Sequence, residues 1–138
     1  MLYYLDTNIL VYLITKDKDS LSREVYEIIS DYSNQRLTSS VCVHEIIQLC
    51  QIGKIYPRKK ENFSAQDIFK YLDEFDIDIV YTNKKHLETM AAMPVLHNDP
   101  YDRLIIAQSI SDRITVISSD RMFRNYRKHG LGFVYNER

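Results

Sequence analysis

Apolar positions along this chain recur in two rhythms, short unbroken runs and helical spacings, and the two alternate. Residues 2–5 (LYYL) form an apolar run suited to a strand buried on both faces. Ile9, Leu10 and Leu13 then predict a helix from Thr7, and Val25, Ile28 and Ile29 a second amphipathic helix over 22–32. Residues 36–38 are a weak strand candidate. Ser39 and Ser40 offer capping hydroxyls for a helix over 41–52. The polar, basic stretch GKIYPRKKEN (53–62) reads as a loop. Residues 65–74 read as a helix, 77–80 as a strand and 84–93 as a helix closed by Pro94. Asn98-Asp99-Pro100 signals the start of a helix running to residue 111. The β-branched run 114–117 predicts a strand, 121–126 a short helix and 132–135 a last strand. Strands alternating with helices predict an α/β architecture of three layers, a central parallel sheet flanked by helices. This pattern does not order the strands.

The chain has 138 residues, of which 45% are hydrophobic, and this suits one compact domain over 1–138 with a core that needs no staples. Three glycines and three prolines leave little room for flexible linkers. A net charge of −1 neither marks a nucleic-acid binder nor excludes one, since a basic patch can coexist with an acidic pocket. Cys42 and Cys50 form no CxxC pair and read as buried thiols of a reducing compartment. The N-terminal stretch lacks a basic region and meets Asp6, unlike a secretion signal. No apolar run has the length of a bilayer span, so the expectation is a cytoplasmic protein with no membrane association.

The candidate chemistry lies in the acidic residues. Ligands of open α/β sheets bind beyond the carboxyl ends of the strands. Asp6 follows the first strand and Asp120 the strand before the last. Each has a bland reading as a helix N-cap, and for Asp6, taken by itself, that reading is the stronger. Asp99, with Pro100 after it, is best read as a cap. Asp102 sits three residues on, as in a capping box, but shares its face with Ile105 and Ile106, which should point inward. Glu45 is hardest to explain blandly, because Cys42, Ile46 and Leu49 surround it at helical spacing. A carboxylate there must be protonated, paired or bound to metal. His44 or a distant arginine would supply the salt bridge.

Taken together, carboxylates converging on one end of a sheet repel one another unless a divalent cation compensates them. Oxygen-only ligation suits Mg²⁺ or Mn²⁺. Such an ion polarises a phosphate and activates water near neutral pH, which is the chemistry of phosphodiester or phosphoryl hydrolysis.

Four segments, LDTNIL at 5–10, SSVCVHEI at 39–46, HNDPYDRLIIAQS at 97–109 and VISSDRMF at 116–123, resemble the PIN domain in order and spacing. More narrowly they are similar to the toxin nucleases of VapBC-type toxin–antitoxin systems. The resemblance implies a FEN-like nuclease fold and an endoribonuclease. It implies that Asp6, Glu45, Asp102 and Asp120 are catalytic and hold one or two Mg²⁺ or Mn²⁺ ions, with Asp99 contributing through water. Thr7, Asn8 and Ser118 would orient those carboxylates or the substrate. The implied substrate is RNA, such as tRNA or rRNA, and the implied partners are a cognate antitoxin and a second copy in a homodimer.

Other residues carry weaker signals. Arg58, Lys59 and Lys60 read first as a solvated loop and second as a phosphate contact. Arg121, Arg124, Arg127 and Lys128 lie close to Asp120, which favours RNA-backbone contact there. Tyr101, beside Asp102, is a candidate for base stacking. His97 is read as structural before catalytic. Two competing functions share these residues: a non-catalytic RNA-binding or regulatory module on the same fold, and a phosphohydrolase using Asp6 as nucleophile, against which the asparagine at position 8 counts.

Overall fold

A computed structural model describes residues 1–55 and 64–137. Its frame is a five-stranded sheet in the order β3-β2-β1-β4-β5, made of β1 (Leu2–Leu5), β2 (Gln35–Ser39), β3 (Ile77–Val80), β4 (Thr115–Ser118) and β5 (Phe133–Tyr135). Every pairing is parallel. The flanking helices are α1 (Thr7–Ile14), α2 (Arg23–Ser30), α3 (Ser40–Gln51), α4 (Asp67–Glu74), α5 (Lys84–Ala92) and α6 (Pro100–Asp112). This is the expected α/β architecture, a parallel sheet flanked by helices.

The strand order places β1 at the centre, with β2 on one side and β4 on the other. The chain thus winds outward in one direction from β1 through β2 to β3, and in the other through β4 to β5. Between β1 and β4 lies the reversal at which open sheets of this kind leave a crevice. Tyr4 pairs with Leu37 and with Val116, so three strand ends come level there.

The core is continuous, running through Leu5, Ile9 and Leu10 of the first unit, Ile46 of α3, Ile105 and Ile106 of α6 and Ile117 of β4. β1 departs from the expected two-sided burial: Leu2 is exposed, Tyr3 half-buried, and only Tyr4 and Leu5 are covered. β2 is stronger than its polar sequence suggests, because its polar groups find tertiary partners. The Thr38 hydroxyl donates to Leu5 O, and Arg36, 7% exposed, donates to Phe75 O and Ile29 O.

Two elements differ from the sequence pattern. Lys18–Ser20 forms an unforeseen 3-10 turn. The short helix expected over 121–126 is a longer 3-10 segment, Arg121–His129, ended by Gly130 at φ 98°. That positive φ favours glycine, which has no Cβ to crowd the carbonyl. The basic stretch with Arg58, Lys59 and Lys60 lies outside the described residues. No helix among the described residues is long and apolar enough to cross a membrane.

Candidate metal centre

The strand-to-helix turns deliver the acidic residues. Asp6 leaves β1 as the N-cap of α1, and its Oδ1 accepts the Thr7 N–H at 2.8 Å. Asp120 leaves β4 as the N-cap of the 3-10 segment, and its Oδ1 accepts from Met122 N at 2.9 Å. Asp99 caps α6, accepting from Tyr101 N and Asp102 N. The bland capping readings therefore hold, but each leaves a second carboxylate oxygen to point elsewhere. The capping box with Asp102 does not form, because the Asp99 N–H donates to His97 Nδ1 instead.

The carboxylates share one cavity. Asp6, Glu45, Asp99, Asp102 and Asp120 all line one cavity of about 380 Å³, which Val11 and Leu49 also line. Thr7, Asn8 and Ser118 bind these carboxylates together. The Thr7 hydroxyl donates to Glu45 Oε1 at 2.8 Å. Ser118 donates to Asp6 Oδ2 at 2.6 Å while receiving the Asp120 N–H at 3.0 Å. Asn8 Nδ2 lies 3.4 Å from Asp6 Oδ2, and its Oδ1 accepts from Ser119 N. The buried Cys42 thiol faces Asp6 Oδ1 at 3.9 Å. Cys50, expected to be buried like Cys42, is only half-buried.

The salt bridge considered for Glu45 does not form among the described residues. Among the described residues no arginine or lysine pairs with any of the five carboxylates, and the only ion pairs they make are those of Asp102 and Asp120 with His97, at 3.4 and 2.6 Å. Arg103 turns away from Asp102 and donates to the carbonyls of His97 and Asn98. His44 is exposed and meets Tyr101 edge-on.

The electrostatic result is a set of carboxyls held above their ordinary range. Asp6 is pushed up by burial first and by the charge of Asp120, against the donors Ser118 and Thr7. Glu45 is raised by burial and by Asp6 and Asp99. Asp102 is raised to about 7 by burial, then by Asp6 and Asp99. Burial with unbalanced negative charge is the environment a divalent cation relieves, and the all-oxygen carboxylate set fits Mg²⁺ or Mn²⁺. Among the described residues, His97, Asp102 and Asp120 offer ligand atoms all within 4.8 Å of one another; Asp6 and Glu45 lie outside that group but line the cavity with Asp102 and Asp120.

Of the other candidates, Arg121 and Arg124 are exposed beside Asp120. Arg127 is committed to structure: its Nη2 donates to Phe133 O at 3.0 Å and its guanidinium lies 5.2 Å over the Phe133 ring. Tyr101 is 49% exposed. His97, read first as structural, is brought by the fold to 2.6 Å from Asp120 and 3.4 Å from Asp102. The available signal was its place two residues before the capping Asp99.

A parallel sheet with carboxylates gathered at its point of reversal defines a class of open α/β domains with an acidic ligand site. Within that class the chain belongs to the PIN domain family, whose model matches residues 3–129. Among solved structures, it is similar to a chain of VapBC2 from Rickettsia felis bound to a promoter DNA fragment, with 20% identity, TM-score 0.71, and coverage of 99% of this chain and 100% of that one. A chain of DNA-bound VapBC from Salmonella typhimurium matches at 18% identity and TM-score 0.67, covering 98% of each. VapBC-1 from nontypeable Haemophilus influenzae matches at 15% and 0.65, again over 98% of each. At these identities the likeness speaks for the fold. No curated protein sequence matches the chain.

Proposed function

We propose that this protein is a metal-dependent endoribonuclease that acts as the toxin of a toxin–antitoxin pair. The observation that carries the reading is the cavity at the β1–β4 reversal, where five carboxylates meet with no lysine or arginine pairing them among the described residues. On this reading Asp6, Glu45, Asp102 and Asp120 hold Mg²⁺ or Mn²⁺, and Asp99, already capping α6, contributes through water. When bound, the cation would polarise the scissile phosphate and offset the charge that builds up in hydrolysis. The chain's own part is orientation: Thr7 aims Glu45, Ser118 and Asn8 aim Asp6, and Arg121, exposed and next to Asp120 in sequence, would contact the phosphate backbone.

RNA as substrate is supported by the resemblance to PIN-domain toxins. The antitoxin partner is supported by the likeness to VapBC complexes, and a homodimer and a cytoplasmic location follow from the same reading, as does a single domain over 1–138. Cleavage of total RNA by the purified protein, with Mn²⁺ and with chelator, tests the proposal beside an Asp102→Asn control. Cleavage that needs both the cation and Asp102 is expected. Equal cleavage by the control would rule out this mechanism.

A further inference from the structure

His97 is fixed at three points. Its carbonyl accepts from Arg103 Nη1 at 2.7 Å. Its Nδ1 accepts the backbone N–H of Asp99 at 3.1 Å. Its Nε2 lies 2.6 Å from Asp120 Oδ2 and 3.4 Å from Asp102 Oδ2. Beneath, the ring rests edge-on against Phe123, with centroids 6.0 Å apart and planes at 83°. The side chain is 12% exposed.

The spacing alone would suit a cation ligated by His97, Asp102 and Asp120 together. The hydrogen bond at Nδ1 argues otherwise. A backbone amide can only donate, so Nδ1 must offer its lone pair to Asp99, and the ring proton must sit on Nε2. A histidine that ligates through Nε2 needs the opposite arrangement, with Nδ1–H donating to an acceptor. Here Nε2–H faces two carboxylates and has no lone pair to give a metal. The ring instead joins the loop that opens α6 to the end of β4.

We propose that His97 is a positioning residue: its Nε2–H anchors Asp120 Oδ2 beside Asp102, presetting the spacing of the two carboxylates for a divalent cation without itself becoming a ligand. The inference rests on the proposed metal site. It assigns to one side chain the work of coupling two elements, since Asp102 rides on α6 and Asp120 follows β4. It also explains why Asp120 uses Oδ1 for its cap and Oδ2 for histidine.

The test combines Mn²⁺ titration by calorimetry with pulsed electron paramagnetic resonance of the Mn²⁺-loaded parent. His97→Phe keeps a ring against Phe123 and removes both nitrogens; it should weaken Mn²⁺ binding by about tenfold or more, the usual effect of losing a partner of a metal ligand. His97→Gln restores a donor of similar reach and should recover part of that loss. The parent spectrum should lack the coupling of a directly bound imidazole nitrogen, a reading that needs no variant to fold. A bound-nitrogen signal, or unchanged affinity in a folded His97→Phe protein, would overturn the inference alone. A parent that takes up no Mn²⁺ would overturn the metal-site reading and the inference with it.

Discussion

The Ser118 hydroxyl donates to Asp6 Oδ2 at 2.6 Å and accepts the Asp120 N–H at 3.0 Å, so one buried side chain at the end of β4 couples both strand-end aspartates. Ser118→Ala would leave the Asp120 N–H without this acceptor and remove the strongest donor to a buried carboxylate. A loss of about 1–3 kcal/mol in unfolding free energy is expected, the range for an orphaned buried polar group. Mn²⁺ affinity should fall as well, because the Ser118 hydrogen bond is the largest influence favouring the ionised form of Asp6 against its burial. Denaturant unfolding and calorimetry check the two effects. A variant as stable and as tightly cation-binding as the parent would contradict this role.

Thr7 performs the parallel service for Glu45 across 2.8 Å. Thr7→Val keeps the shape and deletes the hydroxyl. Glu45 is only half-buried, so the stability cost should be about 1 kcal/mol, the size of an ordinary hydrogen bond. Cation affinity should drop by several-fold while Asn8 and Asp6 keep their contacts. A stability loss with unchanged affinity would mean that Thr7 serves packing alone.

The raised carboxyls give the site a pH dependence of defined sign. Asp102 binds its proton more tightly folded than unfolded, with a value of about 7 against an ordinary 3.8. Its contribution to stability is fully present below about 3.8 and is lost as pH rises through about 7. Asp6 and Glu45, also raised, act in the same direction. In chelator, Asp102→Asn should therefore gain on the parent as pH rises, melting higher by more near pH 8 than near pH 5. Mn²⁺ should reverse the order at pH 8, because it binds only the ionised set and stabilises the parent by mass action. Thermal melts at the two pH values decide it; a variant less stable than the parent at pH 8 in chelator would show that no repulsion is relieved.

Much of this was legible locally. The run LYYL before Asp6, and Asp99-Pro100 before α6, carry their own strand, cap and helix signals within a few residues. The helices at 84–93 and 98–111 were foreseen nearly to their ends for the same reason. What failed to show depends on partners distant in sequence. β2 looked weak because QRLTS is polar, and only the fold reveals that Thr38 and Arg36 spend their donors on carbonyls of other elements. The bridge from His97 to Asp120 spans 23 residues and two elements, so no periodicity could announce it. Strand order is likewise a matter of long-range pairing. The gathering of Asp6, Glu45, Asp102 and Asp120 was legible through the family resemblance, whereas their individual spacings left capping as the stronger reading for Asp6.

Arg36 offers a stability test away from the acidic cavity. Its guanidinium donates to Ile29 O and Phe75 O from a buried position, while its ionic partner Asp76, at 3.6 Å, is 88% exposed. The carbonyl bonds should therefore dominate and the ion pair count for little. Arg36→Met should cost about 2–4 kcal/mol by leaving buried carbonyls unpaired. Asp76→Asn should stay within about 0.5 kcal/mol, since asparagine tolerates the φ of 55° at that position. Equal losses in the two unfolding curves would assign the energy to the ion pair instead.

The basic segment after Asp120 divides by geometry into two roles. Arg127 is bound to Phe133 through its carbonyl and its ring, whereas the Arg121 side chain is exposed and makes no hydrogen bond among the described residues, and the Arg124 side chain donates only to the Arg121 carbonyl. If RNA is the substrate, Arg121 and Arg124 meet its phosphates. The double substitution Arg121→Gln, Arg124→Gln should weaken RNA binding whatever its sequence. It should flatten the dependence of log affinity on log salt by about 0.7 per lost contact on a single strand. The melting temperature should barely change, because both side chains are exposed. Arg127→Gln should do the reverse, lowering the melting temperature through the lost Phe133 contacts while leaving the salt slope of the folded protein unchanged. Binding measured in chelator, so that nothing is cleaved, at several salt concentrations separates the two. An unchanged slope in the double variant would remove this segment from the RNA-contacting surface.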